Sequence, residues 1–247
     1  MLEASALHKA FGSLVVTDGV SLNVPRGGRQ AVIGPNGAGK TTLFNLISGE
    51  LKPDRGAIRV DGVDVSALQP DARARAGLAR SFQRNNLFLD MTVAESLATA
   101  AAVKAGWSRR AWRPFAGAAP LHAMAADIAE RVGLADLLDR PVRHLSYGNQ
   151  RQLEIALALT GAPKVLLLDE PTAGMSPDET KAMRMLIAGL PRDLTILMIE
   201  HDMDVVFDLA EIITVLDYGR VLVSGTPDEI RKSDVVRDVY LGRGWNG

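Results

Sequence analysis

The sequence has no cysteine, few aromatic residues and almost no net charge. Its 247 residues contain 28 Lys and Arg against 29 Asp and Glu, a formal charge of −1, and only 5% are Phe, Trp or Tyr. The lack of cysteine excludes a disulfide scaffold, a thiolate metal site and a cysteine nucleophile. Because domains that bind nucleic acid usually carry a basic excess, we expect no nucleic-acid partner.

Long hydrophobic runs are also missing. No stretch reaches the roughly 18 to 20 apolar residues that a membrane-spanning helix needs. The first residues, M-L-E-A-S-A-L-H-K, lack the apolar core of a secretory signal. We therefore expect an intracellular protein whose membrane role, if it has one, comes through a partner. The apolar fraction of 47% and the charged fraction of 23% are those of an ordinary globular protein.

Short apolar runs alternate along the chain with helical patterns. Continuous apolar runs of strand length are typical of strands that are covered on both faces of a parallel sheet. The predicted strands are residues 30–33, 57–60, 165–168, 195–199 and 212–216, and the predicted helices are residues 41–48, 93–103, 123–132 and 151–160. This alternation predicts an α/β fold with a mainly parallel sheet, interrupted by a helical middle over residues 82–143.

Two helix starts and one irregular stretch complete this pattern. Ser176 and Thr226 are each followed by Pro and then by Glu three residues after the cap, which predicts a capping box at each position. Residues 104–120 combine Trp, Arg, Pro and Gly. We interpret them as an irregular insert, with contact to a nucleic acid or a membrane surface as the alternative.

Residues 34–41 carry the first motif with a specific chemistry. Their sequence, G-P-N-G-A-G-K-T, matches G-x-x-x-x-G-K-[ST] between a predicted strand and a predicted helix. Glycines let consecutive backbone N–H groups point at phosphate oxygens, and the start of the following helix favours an anion. Lys40 would contact the β- and γ-phosphates, and Thr41 would place its hydroxyl on Mg²⁺. The motif therefore predicts binding of a nucleoside triphosphate with Mg²⁺.

Two acids directly follow the predicted strand at residues 165–168. In α/β proteins, ligands bind beyond the carboxyl ends of such strands. Asp169 would hold Mg²⁺, directly or through water, and Glu170 would polarise the water that attacks the γ-phosphate. Acids that only reach solvent are the alternative, but the phosphate loop upstream favours the catalytic interpretation.

The segment L-S-Y-G-N-Q at residues 145–150 lies before a helical pattern, between these two motifs. It resembles the L-S-G-G-Q signature of ATP-binding cassette (ABC) ATPases, with Tyr147 in place of the first Gly and Asn149 in place of Gln. The resemblance covers essentially the whole chain and implies the ABC type of P-loop NTPase fold, a mainly parallel core with an antiparallel β part and a helical subdomain. It further implies one ATP-binding domain over residues 1–247, with a RecA-like core at about 1–82 and 144–247 and a helical signature subdomain at about 83–160.

The resemblance also implies roles for single residues. Phe11 resembles the aromatic residue that stacks on adenine, Gln83 the Q-loop glutamine and His201 the switch histidine. The expected ATP-binding residues are Phe11, Asn36, Gly37, Ala38, Gly39, Lys40, Thr41 and Thr42. The expected catalytic residues are Glu170, His201 and Gln83, and the expected metal ligands are Thr41, Gln83 and Asp169. The signature residues, which would serve the ATP of a second subunit, are Ser146, Tyr147, Gly148 and Asn149.

Four of the singled-out residues also have an ordinary structural interpretation. Phe11 is the type of residue that packs in a core. Ser146 is a preferred helix N-cap, and His201 at a strand end is compatible with a purely structural histidine. Ser176 stands where the D-loop of the wider family usually carries Asp, so we interpret it mainly as a helix cap.

Residues 145–156, L-S-Y-G-N-Q-R-Q-L-E-I-A, carry a narrower resemblance. They are similar to the L-x-Y-G-x-Q-R-x-L-E-I-A run of the larger ATP-binding subunit of branched-chain amino acid importers, and the ending Y-L-G at residues 240–242 fits as well. This implies an ATPase that powers import of branched-chain or related amino acids. The alternatives are an importer of amides, urea or another small solute, a non-transport ABC ATPase acting on ribosomes or DNA, and a scaffold without turnover.

The resemblance implies partners as well as an activity. ATP and Mg²⁺ would be the cofactors. Membrane-spanning permease subunits would dock near Gln83, a second ATP-binding subunit would complete a homo- or heterodimer, and an external solute-binding protein would act indirectly. The chain would then be a peripheral subunit at the cytoplasmic face of the inner membrane.

Overall fold

The computed structural model describes residues 1–81, 87–104 and 119–241. Its strands are β1 (Leu2–Phe11), β2 (Leu14–Val24), β3 (Arg29–Ile33), β4 (Arg55–Val60), β5 (Val63–Asp64), β6 (Leu78–Arg80), β7 (Val165–Asp169), β8 (Thr195–Ile199), β9 (Ile212–Asp217) and β10 (Arg220–Gly225). Its helices are α1 (Lys40–Ser48), α2 (Pro70–Arg75), α3 (Val93–Lys104), α4 (Ala119–Arg131), α5 (Tyr147–Thr160), α6 (Pro177–Gly189), α7 (Met203–Leu209), α8 (Pro227–Lys232) and α9 (Asp234–Leu241). None of the helices in these ranges is long and apolar enough to cross a membrane.

The chain packs into two units. The first comprises residues 1–80, 164–170 and 191–247, and the second comprises residues 81–163 and 171–190. All of the strands listed above belong to the first unit. Helices α3 to α6, the four longest of those listed, belong to the second unit.

The first unit contains two sheets. The larger has the order β10-β9-β3-β8-β7-β6, in which every pair is parallel except β9 with β10. The smaller has the order β2-β1-β4-β5 and is antiparallel throughout. This arrangement confirms the expected fold class, a mainly parallel core with an antiparallel part.

The ends of three parallel strands meet at one edge of the larger sheet. Ile199 of β8 is in register with Val32 of β3 on one side and with Asp169 of β7 on the other. Parallel strands place their carboxyl ends at the same edge. The segments that follow β3, β7 and β8 therefore start side by side, and these segments contain the phosphate loop, Glu170 and His201.

Helix α1 anchors the phosphate loop in the core of the first unit. Leu43, Phe44, Leu46 and Ile47 are fully buried in one cluster with residues of both sheets. Burying an apolar side chain of this size contributes about 1.5–3 kcal/mol. Gly49 ends the helix in a left-handed conformation, φ +88°, as the pattern over residues 41–48 predicts.

The predicted helices of the second unit differ from the observed ones at their starts. Helix α4 begins four residues before the predicted one, at Ala119, and α5 begins at Tyr147 rather than at residue 151. The signature segment therefore forms the first turn of α5 instead of preceding it, because Ser146 caps the helix. The predicted insert falls almost entirely on residues 105–118, which lie outside the described residues.

The antiparallel strands β1 and β2 have no counterpart among the individually predicted strands. Their pairing is interrupted by irregularities between Ala4 and Leu7, between Leu7 and His8, and between Lys9 and Ala10. Each irregularity shifts the alternation of inward and outward side chains by one position. A strict period of two is therefore missing from the sequence.

Candidate functional site

The phosphate loop, residues 34–41, is held by close backbone packing. Gly39 has φ +96°, and a Cβ built on it would lie 2.6 Å from the carbonyl oxygen of Val16 in β2. The loop is tied further by the Gly219 N–H, which donates to the Ala38 carbonyl at 3.0 Å. Only glycine fits at position 39, both for its left-handed backbone and for the space that is left beside it.

Lys40 lies within this loop. Its Nζ donates to the carbonyl oxygens of Gly34 at 2.6 Å and of Pro35 at 3.0 Å. Burial lowers the pKa of Lys40, while the negative charges of Glu170 and Asp169 oppose that effect. The Lys40 ammonium group is therefore close enough to both acids to interact with their charges. The structure thus places the phosphate loop near the acids that follow β7.

The other predicted loop residues differ in exposure. Asn36, Gly37 and Thr41 are exposed, Gly39 and Thr42 are half-buried, and Ala38 is buried. The exposed positions lie in the loop before α1 and in its first turn, where backbone N–H groups have no intrahelical acceptor. That end of the helix is suited to an anion such as a phosphate.

Asp169 and Glu170 occupy very different surroundings. Asp169 is the last residue of β7 and is 3% exposed, and its Oδ2 accepts a hydrogen bond from Arg80 Nη2 at 2.7 Å. Glu170 is half-buried and has φ +47°. A left-handed backbone is uncommon at a residue other than glycine, and such strain concentrates at functional sites. The Glu170 N–H donates to the Ile199 carbonyl at 2.9 Å, which fixes the strained residue against β8.

His201 follows β8 and is held through its backbone. Its N–H donates to Oε2 of Glu200 at 2.9 Å, and the Glu200 side chain is completely buried. The His201 side chain is 63% exposed. It is therefore available to a ligand at the sheet edge, as the interpretation of His201 as a switch histidine requires. No sequence pattern indicates Glu200, because a lone acid beside a histidine carries no specific signal.

Phe11 lies at the end of β1 and is 49% exposed. The ammonium group of Lys9 is 5.7 Å from the centroid of its ring. The exposure excludes the alternative that Phe11 is a core residue. A flat aromatic surface of this kind is able to stack on a planar base.

The residues around the loop fit a Mg²⁺ ion that is shared with a nucleotide. Mg²⁺ is usually bound through one or two carboxylates together with substrate phosphates and water, rather than by a cage of protein ligands. Within the described ranges, no group of three or more His, Cys, Asp or Glu could hold a metal ion. Thr41 and Asp169 would instead supply a hydroxyl and a carboxylate oxygen. Gln83, the third predicted metal residue, lies outside the described residues.

The signature turn belongs to the second unit and is built by side chains. The Ser146 hydroxyl accepts from the Asn149 N–H at 3.2 Å, so Ser146 is the N-cap of α5. The Gly148 N–H donates to Oε1 of Glu179 at 3.0 Å, and a Cβ on Gly148 would lie 2.8 Å from that oxygen. Glu179 also closes the predicted capping box of α6 with Ser176, which confirms Ser176 as a helix cap.

Tyr147, the departure from the usual signature, has partners of its own. Its hydroxyl accepts from Arg151 Nε at 3.1 Å and from Nη2 at 2.9 Å. Arg151 Nη1 in turn donates to Glu154 Oε2 at 2.8 Å. The spacing of four and three residues on α5 could have indicated this chain of contacts. No sequence pattern indicates the longer link from Glu179 to Gly148.

Family models match most of the chain, and known relatives match almost all of it. The family model described as "ABC transporter" matches residues 17–173, well over half of the chain, and a model described as "Branched-chain amino acid ATP-binding cassette transporter" matches residues 220–245. The chain is 40% identical to the high-affinity branched-chain amino acid transport ATP-binding protein BraF of Pseudomonas aeruginosa and 41% identical to LivG of Salmonella typhimurium. Both matches cover 98% of this chain and 98% of the relative.

A solved structure shows the same fold. It is the ADP conformation of an ATP-binding cassette of an ABC transporter, with a TM-score of 0.86 and 28% sequence identity over 98% of this chain and 99% of that one. The full-length relatives, the family model and the fold agree. This chain belongs to the ABC transporter family, as an ATP-binding cassette protein.

Proposed function

We propose that the chain binds ATP together with Mg²⁺ and hydrolyses it to drive an importer of branched-chain or closely related amino acids. The observation that carries the solute class is the 40–41% identity, over nearly the whole of both chains, to two proteins named for transport of these amino acids. The separate match at residues 220–245 supports the same class. Amides, urea and other small solutes are the alternatives that the experiment below separates.

The phosphate loop would hold the nucleotide in this mechanism. Backbone N–H groups at the start of α1 would bind phosphate oxygens, and Phe11 would stack on the adenine. Lys40 now donates to the loop's own carbonyls, so its ammonium group is already directed into the loop. A bound triphosphate would offer it stronger, charged acceptors.

Glu170 would be the general base. It would accept a proton from the water as the water oxygen attacks the γ-phosphorus and the bond to the β–γ bridging oxygen breaks. The strained backbone of Glu170 and its bond to Ile199 would hold the carboxylate at the sheet edge. His201 would donate a hydrogen bond to the γ-phosphate, and Gln83 would assist at the metal and the water. Bound Mg²⁺ would neutralise charge on the β- and γ-oxygens.

The signature turn would act on the nucleotide of a second ATP-binding subunit. In this structure the Gly148 N–H donates to Glu179 and the Asn149 N–H donates to Ser146, so a phosphate of the partner's nucleotide would bind at the start of α5 by replacing these acceptors. We propose a homo- or heterodimer beneath membrane-spanning permease subunits that dock near Gln83, with an external solute-binding protein acting indirectly. The chain would be a peripheral subunit at the cytoplasmic face of the membrane, with a RecA-like core at about residues 1–82 and 144–247 and a helical subdomain at about 83–160.

The test reconstitutes the chain in proteoliposomes with its permease subunits, partner ATPase and binding protein. ATP hydrolysis and uptake of radiolabelled solute are measured with leucine, isoleucine and valine and, separately, with an amide and urea. We expect the branched-chain amino acids to stimulate both activities. Stimulation by urea or the amide alone would contradict the proposed solute class.

A control variant separates transport from passive leakage. Uptake in the same vesicles should disappear when Glu170→Gln is present in this chain and in the matching position of its partner. Solute-stimulated hydrolysis without uptake, or uptake that survives the control variant, would contradict an ATP-driven importer.

A further inference from the structure

Arg80, the last residue of β6, has a nearly buried side chain that joins two parts of the first unit. Its guanidinium donates from Nη2 to Asp169 Oδ2 at 2.7 Å. From Nη1 it donates to Asn45 Oδ1 at 2.7 Å, to Ser48 Oγ at 3.1 Å and to Glu50 Oε1 at 3.0 Å. The Arg80 side chain is 8% exposed and that of Asp169 is 1% exposed. No motif in the sequence indicates a role for Arg80.

The contacts on α1 fall on the helix face that carries Thr41. Asn45 and Ser48 follow Thr41 by four and seven positions, a spacing that places all three on the same face. Arg80 therefore connects Asp169 to the face of α1 from which Thr41 projects. Thr41 and Asp169 are the two described residues proposed to hold Mg²⁺.

In the ion pair with Arg80, Asp169 accepts the hydrogen bond through Oδ2. A planar guanidinium presents several donors in fixed directions, which a lysine ammonium on a flexible stem cannot reproduce. Arg80 is therefore able to fix the orientation of the carboxylate as well as to balance its buried charge.

We propose that Arg80 is a positioning residue for the divalent cation: it holds Asp169 at a set distance and orientation from Thr41. This rests on the proposed function, because it assumes that both residues take part in binding the metal with the nucleotide. In this proposal Arg80 acts through Asp169 and does not itself contact the phosphate or the metal. Groups that orient a metal ligand in this way typically change metal affinity about 10- to 100-fold when they are removed.

The proposal predicts a defect in the use of Mg²⁺ rather than in nucleotide binding itself. In Arg80→Lys and in Arg80→Met, binding of a non-hydrolysable ATP analogue in EDTA should match the wild type, because the phosphate loop is unchanged. The Mg²⁺ concentration that gives half of the metal-dependent gain in binding should rise by about tenfold or more in both variants. Arg80→Lys keeps the positive charge. If it shows the same defect as Arg80→Met, Arg80 orients Asp169 and does not only balance its charge.

Arg73 provides a matched structural control. It is 1% exposed and donates from Nη1 to the carbonyl oxygens of Leu46 and Ile47, at 2.6 and 2.7 Å, at the end of the same helix. Its other hydrogen bonds go to the carbonyl oxygens of Leu68 and Ser66, and in the described part of the chain none goes to Asp169. Arg73→Lys should therefore lower the Tm without changing the half-saturating Mg²⁺ concentration.

The experiment is a Mg²⁺ titration of ATP-analogue binding by isothermal calorimetry, using the full chain. A wild-type chain that binds the analogue without any dependence on Mg²⁺ would overturn the proposed function on which the inference rests. With that dependence present, an unchanged or lowered half-saturating concentration in the Arg80 variants would overturn the inference, and so would full rescue by Lys. If the Arg80 variants do not fold, Asn45→Ala decides the question. It keeps the buried ion pair but removes one contact that orients Arg80, so it should raise the concentration by less than the roughly tenfold expected for a direct partner of the metal ligand. No increase would overturn the inference.

Discussion

The phosphate loop and the signature turn both begin a helix, but they are held in opposite ways. The phosphate loop is shaped by backbone packing, since Gly39 lies against the Val16 carbonyl and the Ala38 carbonyl accepts from Gly219. The signature turn is shaped by side chains, since Ser146 caps α5 and Glu179 accepts the Gly148 N–H. Backbone packing leaves little freedom in residue choice, whereas a turn held by side chains tolerates a replacement such as Tyr147 when the partners are present.

The largest expected effect is on the rate of ATP hydrolysis, at the site that contains the phosphate loop and Glu170. Glu170→Gln should bind ATP normally yet hydrolyse it at least about 100-fold more slowly, the scale of a lost general base. Gln keeps the size of the side chain but cannot accept a proton from the attacking water. The measurement is single-turnover hydrolysis by the assembled complex with the partner ATPase inactivated. A rate within about threefold of the wild type would remove Glu170 from this role.

The packing of the phosphate loop can be tested with two glycines. Gly39→Ala should cost about 2–4 kcal/mol of unfolding free energy, because it adds both a left-handed strain and a collision with the Val16 carbonyl. Gly37 is the matched control. It has φ +83° but nothing within 4 Å of a built Cβ, so Gly37→Ala should cost only about 1–2 kcal/mol. Equal losses in urea denaturation would show that close packing does not hold the loop.

The same contrast explains what could be predicted from the sequence. The phosphate loop depends on local glycines and on one strand and one helix, all of which leave a pattern at fixed spacing. The capping box of Ser176 and Glu179 is equally local and was also predicted. The bond from Gly148 to Glu179 spans 31 positions, and the bond from Arg80 to Asp169 spans 89. Contacts at such separations depend on tertiary packing and leave no periodic signal in a single sequence.

A smaller effect, on thermal stability, is expected from removing the Glu179 carboxylate that accepts the Gly148 N–H of the signature turn. Hydrogen bonds from the Ser176 and Gly148 N–H groups lower the pKa of Glu179. A lowered folded-state pKa gives stability that is present above the unfolded pKa and is lost as the pH falls through the folded value. Glu179→Gln should therefore lower the Tm by a few degrees, on the order of a lost helix cap, at pH 7. The difference from the wild type should shrink as the pH falls below the ordinary Glu value of 4.5.

Glu229 provides the control for this prediction. It closes the same type of capping box with Thr226 at the start of α8, and its hydrogen bonds among the described residues lie within that box. Glu229→Gln should lower the Tm less than Glu179→Gln does, and the difference measures the link to Gly148. Identical shifts in thermal melts at pH 7 would show that this link does not stabilise the signature turn.

The most direct test of the account compares the two regions in ATP binding by the isolated chain. Calorimetry is performed on the wild type, Lys40→Ala and Ser146→Arg. Lys40→Ala should weaken ATP binding by roughly 10- to 150-fold, because it removes a charge-assisted contact of about 1.5–3 kcal/mol. Ser146→Arg should leave the Kd within about twofold of the wild type, since the signature turn would serve the nucleotide of the other subunit, and it should stop hydrolysis only in the assembled transporter. A Ser146→Arg chain that loses ATP affinity as Lys40→Ala does, or a Lys40→Ala chain that binds ATP normally, would contradict the account.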